Sequence, residues 1–432
     1  MKIGILAQYI ETRPDVKDLI IALSETNSIT LFISEDNIKK IEILFPNNII
    51  IKPIPSFTGY QKALKVVWQY IYLAFGSIPR STYNYYMVET IRLSNPSIKP
   101  WSRRLQKFLV AINKITNGII NYDTYLKGIK IIKKYKWEDT NFDTFLCFTQ
   151  IYDDWFYAQI LSINKPIWTY VYSWDHPCKL KTFSKKSKFL VWNQGLKNDL
   201  IELQSIDPSR ITELGATQFT YLYDYLKKMD STTYRSPYSF PYLYLGFATG
   251  YEKLARLEIK YAIQIAQHLR IHFPDLKLVI RPYPFFVYQD LYDLLKLEPN
   301  VIFDSITPTD KIDKLNFDKF SKISHAIAFL HFGTTMGYEA SYFNTPSILL
   351  DFVNRDCDRL LNGFIHQYQN DKYLNLTGFE NVPKSIDDLI KYLHKIVDSN
   401  ISVSNYNQAV SNPTPLQSKK DIIEKFINII SK

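Results

Sequence analysis

Short runs of β-branched and aromatic residues, separated by amphipathic runs of helical length, set the limits on how this 432-residue chain can fold. Strands that recur only after a helix's worth of chain cannot join through tight hairpins. They must be linked by crossovers, lie parallel and be covered by helices, which predicts an α/β fold. The first strands read as Lys2 to Ala7, Ser28 to Ile33 and Asn48 to Ile54, with helices at Pro14 to Glu25 and Glu35 to Leu44. Residues 60–136 break the rhythm. They are rich in Tyr, Trp and Lys, place Trp68, Tyr72 and Phe75 on one helical face, and read as a helical insertion.

Strands return at Phe142 to Thr149, Pro166 to Ser173, Phe189 to Trp192 and Ile211 to Leu214. A second series follows at Tyr242 to Phe247, Lys277 to Arg281, Val301 to Asp304, His325 to Phe329 and Ser347 to Phe352, with helices near Glu252 to His272, Gln289 to Leu297 and Thr335 to Tyr342. The spacing predicts a Rossmann-like domain over residues 1–222, a polar linker over 223–240 and a second Rossmann-like domain over 241–415. A C-terminal helix over 416–432 is placed to cross back to the first domain. Two such domains create a cleft lined by the carboxyl ends of both sheets, where open α/β folds bind ligands.

Composition narrows the function classes. Hydrophobic residues at 46% and charged residues at 22% supply real cores and exclude a disordered chain. The net charge of +10 favours an anionic partner without naming one. Cys147, Cys178 and Cys357 form no C-x-x-C pair and no even disulfide framework, which fits a reducing cytoplasm. The apolar start, Met1 to Ala7, reads as a strand rather than a leader, and no run reaches the roughly 18 apolar residues needed to cross a bilayer. There is no G-x-G-x-x-G, P-loop or H-E-x-x-H.

Three constellations fall at strand ends. In His331 to Ala340, a small polar loop with Gly333, Thr334 and Thr335 enters a helix, where backbone N–H groups and hydroxyls can meet an anion. Glu339, one turn in, could accept hydrogen bonds from a ribose diol and be expendable for stability, unless Thr334 and Glu339 are merely a helix cap. In the second, Arg281 ends a strand between Val279-Ile280 and Pro282-Tyr283-Pro284, suited to bidentate phosphate binding or to an ordinary salt bridge. The third is Tyr170 to Pro177, where Asp175 or His176 could take a proton from an acceptor hydroxyl and Trp174 could stack on a sugar, the alternative being a plain turn. Asp15, in the loop after the first strand, is a third candidate base. The remaining histidines lack metal-ligand spacing, and Asp356-x-Asp358 is not beside a strand end, so no metal site is expected.

Ser173-Trp174-Asp175, then Phe189 to Asn193, then Pro208 to Phe219 follow one another in an order that resembles the S-W-D-N, V-W-N and P-x-R-[IV]-x-x-x-G-A-x-x-F blocks of bacterial GT-B-type glycosyltransferases of surface-polysaccharide loci. Tyr244-Leu245-Gly246-Phe247 resembles their L-Y-L-G strand, Arg281 to Pro284 their R-P-H-P, and Thr334 to Ala340 their T-[ST]-x-x-x-E-A. The likeness runs from residue 166 to 352, with His176-Pro177 in place of Asn-Leu and Tyr283 in place of histidine. It implies a GT-B architecture and a metal-independent transfer from a nucleotide-sugar donor, a substrate rather than a cofactor, to a glycan or lipid-linked acceptor. The donor residues implied are Gly246, Arg281, Tyr283, Gly333, Thr334, Thr335 and Glu339; Asp175, His176 and Asp15 are the candidate bases, and Trp174 the acceptor contact.

Two alternatives stand beside this reading: a CDP-glycerol-type polyol phosphotransferase, and a non-catalytic protein binding glycan or nucleic acid. The stretch from Lys99 to Lys136 carries ten Lys or Arg against Asp123 alone. With its aromatics it predicts a basic helical surface for nucleic acid, an acidic acceptor, or peripheral attachment to anionic membrane on the cytoplasmic face.

Overall fold

The computed structural model describes residues 1–8, 10–77, 99–116, 118–138, 140–149, 151, 153–179, 183–229, 236–248, 252–283, 289–304, 312–343, 345–352, 382–398 and 414–431. The chain divides into two units, Met1–Thr220 with Thr414–Lys432, and Tyr221–Pro413.

The first unit is built on seven parallel strands: β1 (Lys2–Leu6), β2 (Ser28–Ser34), β3 (Ile50–Ile54), β4 (Thr144–Phe148), β5 (Ile167–Tyr170), β6 (Lys188–Val191) and β7 (Ile211–Glu213). Their order is β3-β2-β1-β4-β5-β6-β7, with Gly4 of β1 opposite Thr30 on one side and Phe145 on the other. The chain reverses direction across the sheet between β1 and β4. β4 is buried at all five positions, as a central strand covered on both faces must be, and its sequence is a continuous T-F-L-C-F run. The first helix, α1 (Pro14–Ser24), begins with its proline at a position where the missing N–H costs nothing.

The second unit holds five parallel strands: β8 (Tyr242–Gly246), β9 (Lys277–Arg281), β10 (Val301–Phe303), β11 (Ala328–His331) and β12 (Ser347–Leu349), in the order β10-β9-β8-β11-β12. Its strand order reverses between β8 and β11. Two parallel-sheet α/β units agree with the fold expected from the strand rhythm.

Between β3 and β4 lies a helical insertion made of α3 (Gly59–Phe75), α4 (Pro100–Thr116) and α5 (Tyr122–Ile132), after the short α2 (Ile38–Glu42). Tyr72 and Tyr125 pack with ring centroids 4.4 Å apart, and the Trp68 indole N–H donates to the Tyr125 carbonyl at 2.9 Å. Tyr122 and Tyr125 donate their hydroxyls to the two oxygens of Asp154 at 2.7 and 3.1 Å, which fastens the insertion to α6 (Asp154–Leu161). Residues 78–98 and 117 of the expected insertion and 230–235 of the expected linker lie outside the described residues, and the start of that linker, 223–229, is the end of a helix over Thr220–Met229 instead.

The later helices are α7 (His176–Lys179), α8 (Gln194–Gln204), α9 (Thr220–Met229), α10 (Glu252–His272), α11 (Gln289–Lys296), α12 (Ile312–Ser324), α13 (Thr335–Ala340), α14 (Ile386–Asp398) and α15 (Lys419–Ile430). Ser418 caps α15 by accepting from the Asp421 N–H at 3.1 Å. α15 buries Ile422, Phe426 and Ile430, and Lys419 reaches Asp18 of α1 at 2.7 Å.

Two expectations shift. The strand expected at His325 to Phe329 runs instead over Ala328–His331, because the His325 ring bonds back to the Ser321 carbonyl at 2.8 Å and closes α12. The helix expected at Glu35 to Leu44 is a 3₁₀ turn, Glu35–Asn37, followed by α2.

A Cβ on Gly128 in α5 would stand 2.2, 2.4 and 2.7 Å from three indole atoms of Trp68. Gly128→Ala gains about 1 kcal/mol of helix propensity, but the overpacking it forces costs about 1–3 kcal/mol, and the indole is held in place by its hydrogen bond. The substitution should therefore lower Tm, and the same change in a Trp68→Leu background should be neutral or stabilising. A Gly128→Ala chain that melts higher than the parent would show that Trp68 yields freely.

Candidate functional site

Polar side chains gather at the carboxyl edge of each sheet. In the second unit, strand register sets Arg281 opposite Gly246, Gly246 opposite His331 and His331 opposite Leu349, so one row crosses the reversal point between β8 and β11. Asp304 extends the row, its N–H bonding the Ile280 carbonyl at 2.8 Å. Gly246 is confined by Phe329, whose ring would lie 2.8 Å from an added Cβ.

His331 opens the loop to α13, and it is fully buried. The Gly333 N–H donates to its Nδ1 at 3.2 Å, so in the neutral ring the proton sits on Nε2 and is donated to Ser347 Oγ at 3.2 Å. Ser347 passes its own proton to the Gly337 carbonyl at 2.8 Å. Burial pushes the His331 pKa down to about 3, so this directional chain persists at neutral pH. Gly333 has φ +112°, a conformation that favours glycine, and a Cβ on Gly337 would collide with His331 Nε2 at 2.4 Å.

Thr334 precedes α13 in extended conformation and makes no side-chain cap bond, so the capping alternative is not realised through its hydroxyl. Thr334, Thr335 and Tyr283 are half-buried; Pro284 lies outside the described residues, as do Cys357 and the Asp356–Asp358 turn.

Behind the row stands an ionic cluster. Arg281 Nη1 bonds Asp304 Oδ2 at 2.7 Å and the Tyr244 hydroxyl at 3.5 Å, and Tyr244 donates its own proton to Asp304. Lys322 on α12 bridges Asp304 and Asp318, each at 2.5 Å. Burial works to raise the Asp304 carboxyl, yet Arg281, Lys322 and Tyr244 hold it below the usual carboxylate range. Glu339 pairs with Lys319 at 2.8 Å, and both side chains are about nine-tenths buried. Burial lowers the Lys319 pKa, with Glu339 opposing and the charge of Arg281 adding to the shift.

At the carboxyl edge of the first sheet, Asp15 opens α1 just after β1. Its Oδ1 accepts the Tyr172 hydroxyl at 3.1 Å and its Oδ2 the Thr217 hydroxyl at 2.5 Å. Burial raises its pKa, with those two bonds and Arg13 pulling the other way. The Arg13 guanidinium lies 4.2 Å over the Tyr172 ring and donates to the Thr149 carbonyl at 2.9 Å. Thr149 Oγ1 accepts the Tyr172 N–H at 2.9 Å and lies 2.5 Å from His176 Nδ1. Two of the three candidate bases, Asp15 and His176, thus belong to one hydrogen-bonded chain through Thr149 and Tyr172. Asp175 and Trp174 are buried as well, at 7% and 3% exposure. The Trp174 ring, expected to stack on a sugar, is packed within the unit.

No protein-family model and no curated protein matches the chain. Solved structures do. The UDP-GlcNAc 2-epimerase of Neisseria meningitidis, bound to UDP-GlcNAc, is 13% identical, with a TM-score of 0.50 over 99% of this chain and 100% of that one. A Listeria monocytogenes protein assigned as a UDP-N-acetylglucosamine 2-epimerase is also 13% identical, with a TM-score of 0.51 over 100% of this chain and 96% of that one. The fold is GT-B. At this identity the likeness concerns the GT-B architecture alone.

Within the GT-B units, the sequence reading found the strand-end residues and missed their partners. Thr149, Asp304, Lys319 and Lys322 carry no local motif and Thr217 fills only a variable position of one; Thr149 and Asp304 alone had a signal, each ending an expected strand.

Asp15 tests the first edge. A carboxyl whose pKa is raised on folding contributes stability that is full below its ordinary value near 3.8 and is lost as pH rises through the folded value. Asp15→Asn, which mimics the protonated form, should match the parent in chemical denaturation at acid pH and be as stable or more stable at pH 7. A deficit that grows with pH would mean the ionised carboxylate is stabilised.

Glu339 tests the second edge. Glu339→Gln strands Lys319 among buried neighbours and should cost about 3 kcal/mol, contrary to the expectation that the residue is expendable. Adding Lys319→Met should recover most of the loss, and unchanged melting of the single variant would dismiss the ion pair as a stabilising contact.

Proposed function

We propose that this GT-B chain moves a sugar from a nucleotide-sugar donor to a glycan or lipid-linked acceptor, in the service of surface-polysaccharide synthesis. The observation that carries the reading is the row at the second carboxyl edge. Gly246, Arg281 and the loop that follows His331 come from segments far apart in sequence, yet β8, β9 and β11 align them at the reversal point of the sheet. Open α/β sheets bind their ligands at that place. The glycosyltransferase motif blocks support it, as does a fold neighbour solved with UDP-GlcNAc.

In this reading Gly333, Thr334, Thr335 and Tyr283 face the donor, and the Asp304 cluster fixes the orientation of Arg281 so that its guanidinium meets phosphate without first reorganising. The acceptor oxygen attacks the anomeric carbon, the bond to the donor phosphate breaks with its electrons, and Asp175 takes the acceptor proton. His176 competes for that role. Asp15, both of whose oxygens already accept hydroxyl hydrogen bonds, positions Tyr172.

A second reading follows from the neighbours, both of which are described as 2-epimerases: the chain would alter the donor sugar without an acceptor. Thermal shift against UDP-, GDP- and CMP-sugars and CDP-glycerol, followed by product analysis, separates these. One nucleotide sugar should raise Tm, and nucleotide release should require added acceptor. Arg281→Lys should weaken donor binding about 10- to 100-fold, and Asp175→Asn should cut turnover at least a hundredfold with donor affinity kept. Stabilisation by CDP-glycerol alone favours the phosphotransferase, epimerised sugar without acceptor favours the second reading, and no response to any nucleotide ends all three.

A further inference from the structure

A helix packed on a core needs one apolar face, and α4 (Pro100–Thr116) has two. Val110 and Asn113 are buried, and Asn113 donates to the Gly76 carbonyl at 2.8 Å, which seats that side against the end of α3. On the other side Trp101, Arg104, Phe108, Ala111 and Ile115 are all exposed, in the alternating three- and four-residue spacing of a single stripe. Trp101 and Phe108 are each 62% exposed and Ile115 84%. At about 100° per residue, Phe108 points roughly opposite to Val110.

The charges along that stripe choose its partner. Arg103, Arg104, Lys107 and Lys114 lie on α4, which has no acidic residue, and Lys99 precedes it. Two copies of this face would set like charges together, so self-association is disfavoured. An apolar line ending in tryptophan and flanked by cations suits the boundary between lipid headgroups and acyl chains, where aromatic rings and basic side chains are both favoured. Within the basic stretch expected over Lys99 to Lys136, α5 turns Tyr122, Tyr125, Leu126 and Ile129 into the core, whereas α4 leaves an apolar stripe exposed.

We infer that α4 docks the first unit on an anionic phospholipid bilayer, lying in the interface with Trp101, Phe108 and Ile115 inserted and its cations against the headgroups. This goes beyond the functional reading and does not depend on it. No helix of the described residues is long and apolar enough to cross a membrane, so the contact made by α4 is interfacial.

The test uses the full chain and co-sedimentation with vesicles of phosphatidylcholine alone or mixed with phosphatidylglycerol. Binding is expected to the mixed vesicles at low salt, with little to phosphatidylcholine alone and at least a tenfold loss at high salt. Each cation removed should cost about fivefold, so Arg104→Glu with Lys107→Glu should lose well over tenfold, and Trp101→Ser with Phe108→Ser should lose a comparable amount at constant charge. Quenching by brominated lipid, compared between the parent and Trp101→Phe, needs no disruptive substitution and should drop in the variant. The inference is overturned by no binding to anionic vesicles at low salt, by equal binding to both compositions, by variants that bind like the parent, by lipid quenching that Trp101→Phe leaves unchanged, or by a parent dimer that Phe108→Ser dissociates.

Discussion

A parallel sheet covered on both faces has room for polar side chains only at its ends, and most of what is chemically distinctive in this chain follows from that. The middle of each sheet is largely apolar and uncharged; β4 and β8 are buried at every position. Charged groups that the fold brings inside are therefore pushed to the carboxyl edges, where loops enter helices. There they are still largely dehydrated, so each must find a partner. Asp304 shows this, a carboxylate side chain 1% exposed that is held by Arg281, Lys322 and Tyr244 together.

The two edges solve the problem differently. In the second unit three cations, Arg281, Lys319 and Lys322, face three carboxylates, Asp304, Asp318 and Glu339, so the cluster is close to neutral. Such a cluster orients its members more than it attracts a distant anion; the net charge of +10 must act from elsewhere on the surface. In the first unit Asp15 is satisfied by hydroxyls, with Arg13 spread over the Tyr172 ring. Hydroxyl donors compensate a buried carboxylate less completely than ion pairs do, and the direction of the Asp15 pKa shift, opposite to that of Asp304, reflects the difference.

How much of this was legible in sequence depended on the range of the interaction that fixes it. Strands were legible because their apolar runs are local: Lys277–Arg281 is where its sequence puts it. Helices whose start is a capping side chain, such as α6 behind Asp153 and α8 behind Asn193, went unread, though each cap is a local signal. The alignment of Gly246 with Arg281 and His331 was half legible, since each ends a strand but only the sheet order brings them together. The partners were not legible. Thr217 reaches Asp15 across 202 residues of chain, and Thr149 reaches His176 across 27, and no local pattern pairs either couple. The burial of Trp174 was not legible for the same reason, since exposure is a property of the packed unit and not of a tripeptide.

The chain's tyrosines link these observations. With 32 tyrosines against 13 glycines, it repeatedly pairs a dehydrated carboxylate with phenolic hydroxyls: Tyr122 and Tyr125 on Asp154, Tyr172 on Asp15, Tyr244 on Asp304. A tyrosine fills space like phenylalanine and still brings a donor, so one residue satisfies both the packing and the hydrogen-bonding demand. Burial, reinforced by the neighbouring carboxylates, pushes these phenols above their ordinary pKa, so they remain donors throughout the neutral range. The same device fastens the helical insertion to α6 and organises both sheet edges. Where aromatic side chains lack such a partner, on the outer stripe of α4, they are exposed among cations instead. In the membrane-docking reading that contrast is expected, because no core contact among the described residues of the first unit requires Trp101 and Phe108 there.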